Sequence, residues 1–147
     1  MHGQVARRAA KHYGLSYDYD SAGSRAGDPM PDWLLPLRAR AAELAGVEPD
    51  ELVEALVQHY PPGAPIGWHR DSPQFGIVAG VSLASPARMR FQRGKGEKRE
   101  VTEILLEPGS AYVLAGKARW SWQHSIPPVK EDRYSITFRT LREQGGR

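Results

Sequence analysis

From residue 52 onward apolar side chains fall in short runs or alternate with polar ones, and Pro and Gly break each run before it can lengthen into a helix. Alternation at a period of two marks a strand with one buried face, and closely spaced turn residues mark antiparallel connections. The pattern predicts strands at Val53 to Tyr60, Gly76 to Leu83, Arg88 to Arg93, Glu100 to Leu106, Ser110 to Ala115, Ser121 to His124 and Tyr134 to Leu141. About seven or eight such strands make a double-sheet jelly roll the expected architecture. Ahead of them, Trp33, Leu34, Leu37, Ala41 and Leu44 recur near helical spacing. They lie between Asp32, a residue type that caps helix starts, and Gly46, a type that ends helices. A helix over Asp32 to Ala45 is predicted, packed on an outer face of the sandwich, with a brief second turn opening at Pro49. The first thirty or so residues hold no sustained apolar period, and 21–31, with Gly23, Gly27, Pro29 and Pro31, reads as loop. The expected organisation is one mainly β (α+β) domain over 1–147. It divides into a short lid or loop region at 1–31, helical support at 32–50 and a jelly-roll core at 52–141.

Composition narrows the chemistry. At 147 residues, 40% hydrophobic and 25% charged, the chain has room for one core and not for two full domains. Its longest apolar runs fall far short of the ~20 residues a membrane span needs, and Met1 is followed by no apolar signal region. A cytoplasmic monomer without membrane contact is the expectation. With no cysteine, disulfides, thiolate metal sites, iron–sulfur clusters and thiol nucleophiles are excluded, and any metal must be held by His, Asp or Glu. The net charge of +3 suits an anionic partner, and Arg88, Arg90, Arg93, Lys95, Lys98 and Arg99 crowd into one stretch while most acids lie elsewhere. Such a stretch serves either as a phosphate track or as a hairpin edge kept soluble by its charge.

His69 and Asp71 stand two apart after a run rich in Pro and Gly. In extended backbone, residues two apart share a face, so both side chains can reach one ion. His124 offers a third ligand from a distant strand. Two imidazoles and one carboxylate on one face of a metal suit non-haem iron(II), whose open positions take a cosubstrate and O₂; zinc hydrolases use similar ligands, so the triad alone leaves the metal open. His69-Arg70-Asp71 also matches the start of a kinase catalytic loop, but no Asn follows at the required place and no Gly-rich nucleotide loop precedes it. His2, His12 and His59 lack comparable partners. In the last strand, alternation puts Arg133, Ser135, Thr137 and Arg139 on one face and Tyr134, Ile136 and Phe138 on the other. The two Arg α-carbons are ~20 Å apart at ~3.3 Å per residue, yet long side chains leaning inward can approach the two ends of a small dianion. Guanidinium forks pair bidentately with carboxylates, so a dicarboxylate fits.

The order His-x-Asp, distal His, Arg-x5-Arg resembles the AlkB family of iron(II) and 2-oxoglutarate dependent dioxygenases. The phrase Arg133-Tyr134-Ser135-Ile136-Thr137-Phe138-Arg139 looks very like that family's closing strand. Pro62-Gly63, Gly80-Val81-Ser82-Leu83 and Pro108-Gly109-Ser110 match its pattern too, and the likeness covers roughly Gln58 to Leu141. The resemblance implies a double-stranded β-helix with iron(II) on His69, Asp71 and His124. It further implies 2-oxoglutarate held by Arg133 with help from Tyr60, Arg139 on the other side of the pocket, and Gln58 and Ser135 beside it. The implied reaction is oxidative dealkylation of bases in single-stranded DNA or in RNA or tRNA, with release of formaldehyde, succinate and CO₂. Family members clamp the base with aromatics from an N-terminal lid, for which Tyr13, Tyr17 and Tyr19 are candidates, although their spacing equally fits a structural strand. Trp68 is a further candidate for stacking, or for packing beneath the site, and Arg90 and Arg93 for the phosphate track. Pro73 stands where repair members are often acidic, and the lid is short, which points to loose base selectivity or to RNA. An oxygenase acting on a protein side chain or a small molecule is the alternative, and a noncatalytic jelly-roll binding module is a second.

Overall fold

Two antiparallel sheets face each other in the computed structural model, which describes residues 6–18 and 23–142, the side chains of 16–18 and 23–26 excepted. Ten strands are described: β1 (Ala9–Asp18), β2 (Gly23–Ala26), β3 (Leu52–Tyr60), β4 (Ile66–His69), β5 (Phe75–Leu83), β6 (Ala87–Arg93), β7 (Glu100–Leu106), β8 (Ala111–Leu114), β9 (Gln123–Ile126) and β10 (Arg133–Leu141). The larger sheet runs β2-β1-β3-β10-β5-β8 and the smaller β4-β9-β6-β7. From β3 onward chain neighbours alternate between the two sheets except at the β6–β7 hairpin, both of whose strands lie in the smaller sheet; this is the jelly-roll winding anticipated from the strand pattern.

The observed strands extend or trim the expected ones by a residue or two, β4 at Ile66–His69 is an addition to them, and there are three other differences. Within the expected loop at 21–31, Gly23–Ala26 is a strand that pairs with β1, and β1 itself adds to the edge of β3. Lys11, Tyr13, Leu15 and Tyr17 carry no clean apolar alternation because an edge addition is half exposed. The expected strand at 121–124 starts later, since Gly116–Trp120 forms a short helix, α2, and β9 begins only at Gln123. The expected helix opens as a 3₁₀ turn at Asp32–Leu34 and becomes α-helical (α1) over Leu35–Ala45, with no side-chain cap from Asp32. The tighter first turn rotates the buried stripe. Leu34, Ala41 and Ala42 face inward, whereas Trp33 and Leu44 are exposed. Gly46 closes the helix at φ 75°, a left-handed cap that suits glycine.

α1 packs on the outer face of the larger sheet through small residues, Ala41 and Ala42 meeting Ala55 and Ala79 around Leu52, Ile136 and Phe138. Phe138 is wholly buried, worth about 1.5–3 kcal/mol by area removed from water. β10 lies between β3 and β5, so both of its edges are paired, and α1 and the smaller sheet cover its two faces. Its apolar residues feed the helix layer, and its polar ones point between the sheets.

Candidate active site

The space between the sheets holds a narrow cleft of ≈ 390 Å³, its open mouth included, lined by His69, Asp71, His124, Gln58, Tyr60, Tyr112, Arg133, Ser135, Thr137 and Arg139 among others. His69 ends β4 and pairs across the ladder with His124 on β9, which brings the two rings to 4.3 Å between centroids. Asp71 lies past the end of β4, so strand alternation does not place it. Arg139 does, donating from Nε and Nη2 to Asp71 Oδ2, each at 2.7 Å. That leaves Oδ1 turned to the imidazoles, 3.7 Å from His69 Nε2 and 3.6 Å from His124 Nε2. The three ligand atoms lie within 4.8 Å of one another, the one such group of three among the described residues.

The protonation pattern suits a metal. Gly67 O lies 2.8 Å from His69 Nδ1; a carbonyl can only accept, so Nδ1 carries the proton and the Nε2 lone pair faces the site. Burial, with His69 alongside, pushes His124 down to about 4, so this imidazole is neutral at ordinary pH. Burial alone would raise Asp71, but Arg139 and the two histidines hold it below the usual carboxylate range. The donor set is two imidazole nitrogens and one carboxylate oxygen, fitted to a divalent ion with positions to spare.

The two arginines of β10 are not equivalent. Burial opposes the charge of Arg139, but Asp71 and Glu54 outweigh it and raise its pKa. Its Nη1 donates to Glu54 Oε1 and Thr137 Oγ1, each at 2.9 Å. Arg133 is completely buried and donates only from Nε, to Ser82 Oγ at 2.9 Å. Its Nη1 and Nη2 are buried with no hydrogen-bond partner, over the Tyr60 ring at 4.9 Å. A buried cation with two idle donors is costly unless an anion meets it. This is the position at which a carboxylate fits.

The other sequence candidates separate. Gln58, Tyr60 and Ser135 line the cleft, and Arg8 donates to Gln58 Oε1 at 2.8 Å. Trp68 faces Arg90 and Arg99 at 5.5 and 5.8 Å; as the strand neighbour of His69 it points the other way. Tyr13 packs edge-on against Trp33 and joins the α1 core. Tyr17 sits in β1 with its side chain undescribed, and Tyr19 lies outside the described residues, as does His2. His12 and His59 do have partners, Glu54 at 3.0 Å and Asp132 at 2.8 Å, but neither joins the metal group. The basic stretch is less free than its sequence suggests, because the ladder sets β7 acids beside it. Arg88 and Arg90 reach Glu103 at 3.4 and 3.8 Å, and Arg93 reaches Glu100 at 2.9 Å.

Glu54, Ser82, Tyr112, Arg119 and Trp122 escaped the sequence reading. Glu54 alone left a signal, an acid in β3 on the same alternating face as Gln58 and Tyr60. Arg119 of α2 is buried and donates to the carbonyls of Ser72, Phe75 and Gly76 at 2.7–2.8 Å, which clamps the loop that carries Asp71. Trp122 stacks on Arg93 at 4.4 Å. Phe91, two residues before Arg93, lies 6.3 Å from the His124 ring.

The family model described as the 2OG-Fe(II) oxygenase superfamily matches residues 2–142, and the chain belongs to that family. It is AlkB-like within it. It is similar to the alpha-ketoglutarate-dependent dioxygenase AlkB of Salmonella typhimurium, 33% identical over 117 residues, 72% of this chain and 52% of that one. It is also similar to the Arabidopsis thaliana alkylated DNA repair protein ALKBH8 homolog, 26% identical over 154 residues, 88% of this chain and 44% of that one. The chain thus spans about half the length of these relatives. The structure of OsALKBH1 superposes with a TM-score of 0.67 at 16% identity, over 90% of this chain and 78% of that one; this likeness speaks to the fold. Iron(II) and 2-oxoglutarate are the metal and cosubstrate of the family, and the triad and the idle Arg133 donors fit both.

Proposed function

We propose that this protein uses iron(II) and 2-oxoglutarate to dealkylate bases in single-stranded DNA or in RNA. One observation carries the reading: the His69–Asp71–His124 triad and the unpartnered Arg133 guanidinium share one cleft. His69 and His124 would present Nε2 and Asp71 Oδ1 to the iron, with Arg139 holding the carboxylate in register. Arg133 and Tyr60 would hold the far carboxylate of 2-oxoglutarate, with Gln58 and Ser135 along its side. Bound there with O₂, the metal and cosubstrate supply the oxidation of a substrate C–H bond, while the cosubstrate becomes succinate and CO₂. The protein's own work is to orient the substrate carbon and exclude water. An N-linked hydroxymethyl group then breaks its C–N bond, its hydroxyl proton returns to the base nitrogen, and formaldehyde leaves.

The cleft opens at His69, whose side chain is 32% exposed, enough for a substrate to approach. Phe91 and the Trp122–Arg93 stack continue the wall outward from His124. Aromatic faces beside cations suit an unstacked base and its phosphates. Two further facts support a nucleic acid: the net positive charge and the DNA-repair name of the Arabidopsis relative. No described helix is long and apolar enough to cross a membrane; a cytoplasmic site of action is part of the proposal.

The test incubates the protein with iron(II), 2-oxoglutarate and methylated single-stranded DNA or RNA, and follows succinate and oligonucleotide mass, with His69→Ala as control. Loss of one methyl mass, dependent on 2-oxoglutarate and absent in the variant, is expected. Succinate without any mass change would move the substrate to a protein side chain or a small molecule, and neither signal would overturn the enzyme.

A further inference from the structure

We propose that His12 is a positioning residue for the metal: from the edge strand β1 it fixes Glu54, which fixes Arg139, which fixes Asp71, so that the docking of β1 and the loading of the metal are one cooperative event. The inference rests on the metal reading of His69, Asp71 and His124 and adds to it a strand that contributes no ligand.

The chain of bonds is continuous. Asp71 lies past the end of β4, and among the described residues its hydrogen-bond donor is Arg139, which reaches Oδ2 from Nε and Nη2 at 2.7 Å. The third nitrogen of Arg139, Nη1, is engaged by Glu54 Oε1 and Thr137 Oγ1, each at 2.9 Å. The guanidinium is therefore oriented by two carboxylates at once. Glu54 is buried, and its second oxygen, Oε2, lies 3.0 Å from His12 Nδ1. A carboxylate paired with a guanidinium only accepts, so His12 Nδ1 donates. The link runs from the surface, where the His12 side chain is 56% exposed, to the Asp71 oxygen that stands behind the metal-facing Oδ1.

The course of β1 brings His12 to this place. The strand pairs with β3 from Ala9 opposite His59 to Gly14 opposite Glu54, and then leaves to pair with β2. Gly14 marks the departure with φ 80°, a region that favours glycine, and a Cβ there would lie 2.2 Å from Val53 O. Alternation puts His12 on the cleft face and its neighbours Lys11 and Tyr13 on the other, where Lys11 pairs with Asp28 and Tyr13 joins the α1 core. Arg8, just ahead of the strand, also reaches the cleft, through Gln58. Of the two contacts, that of His12 leads on to a metal ligand. Coupling of this kind is reciprocal: a metal held better when β1 is docked also holds β1 in place.

The experiment measures zinc(II) affinity by competition with a chelator, and amide exchange over 9–14 by mass spectrometry with and without zinc(II). It compares wild type, His12→Phe, His12→Asn, Gly14→Ala, Lys11→Met and the His12→Phe/Gly14→Ala double variant, each first shown by its thermal melt to fold. His12→Phe keeps a ring but removes the donor, and is expected to weaken zinc(II) about threefold to tenfold, less than the loss of a group bonded directly to a ligand. His12→Asn sets an amide N–H near the place of Nδ1 and is expected to restore most of that affinity. Gly14→Ala frees this end of β1 without altering any of the four linked side chains. It is expected to weaken zinc(II) to a like degree and to add little to His12→Phe. Lys11→Met cuts a tether on the opposite face and is expected to leave zinc(II) affinity unchanged. In wild type, zinc(II) is expected to slow exchange across β1, and in His12→Phe to lose that effect, which a merely structural role for His12 would not produce. The proposal is overturned if His12→Phe binds zinc(II) within about twofold of wild type, if His12→Asn binds no better than His12→Phe, or if zinc(II) leaves the exchange of β1 unchanged in wild type. Wild type that takes up no zinc(II) at all would remove the metal reading itself.

Discussion

Replacing Arg133 with Met separates two effects that the native side chain combines. Without ligand, Arg133 is a fully buried cation with one hydrogen bond, to Ser82, and two idle donors. Exchanging a poorly compensated buried charge for an apolar side chain of similar length is neutral or stabilising by about 1–4 kcal/mol. Against this stands the lost bond to Ser82, at most about 3 kcal/mol for a charged donor. The metal-free variant is therefore expected to melt at or above the wild-type temperature. With a dicarboxylate bound, the same substitution removes two charge-assisted bonds and leaves an anion unpaired, about 2–5 kcal/mol, so 2-oxoglutarate affinity is expected to fall by about thirtyfold to several thousandfold. Scanning calorimetry of zinc-loaded protein reads both quantities. At a hundred times its dissociation constant the ligand adds about 2.7 kcal/mol to wild type, a rise of roughly 5–10 °C for a chain of this size, and the variant is expected to show none. A variant that loses more than 2 kcal/mol without ligand but keeps the ligand shift would refute the reasoning, since Arg133 would then be a structural group.

Further expectations follow from the same geometry. Glu54→Ala leaves the buried Arg139 half paired and is expected to cost about 3–5 kcal/mol by urea unfolding, Glu54→Gln distinctly less because an acceptor remains. His124 is held near 4, below the 6.5 of a free imidazole, so between those values the unfolded chain binds more protons than the folded one. Stability of the metal-free protein then rises with pH across that window and is lost as pH falls, by on the order of 3 kcal/mol, and His124→Gln is expected to flatten the slope in calorimetric scans. Arg119→Gln strips three carbonyls of their shared donor; zinc affinity is expected to drop at least tenfold by competition with a chelator, and an unchanged affinity would mean the clamp does not position Asp71. Phe138→Ala opens a cavity under α1 and is expected to cost about 3–5 kcal/mol in denaturant.

The sequence made legible whatever depends on residues near one another in the chain. Alternation in 133–139 separated the cleft face from the core face, and the two-residue spacing of His69 and Asp71 marked two members of the triad, although Arg139 and not strand alternation sets the position of Asp71. What stayed hidden was set by register between distant strands. Glu54 meets Arg139 because β3 and β10 align those two residues, and Tyr112 meets Gly80 because β8 and β5 align those. No local pattern encodes such pairings. The same cause misled the charge reading, since Glu100 and Glu103 come to lie beside Arg93 and Arg90 only when β6 and β7 pair. Conversely, the two arginines of β10 looked alike in sequence, and only the carboxylates around Arg139 distinguish them.

The buried ion pairs around Arg139 also couple the two occupants of the cleft to each other. Arg133 and Arg139 bring two positive charges and Asp71 and Glu54 two negative ones, so these four buried groups balance one another. A divalent ion arriving first leaves an excess of two positive charges in a medium that screens poorly, and a dicarboxylate cancels it. A dianion arriving first would leave the opposite imbalance. Each occupant therefore strengthens the hold on the other by the same factor, and a monocarboxylate of equal shape, one charge short, leaves the loaded centre unbalanced.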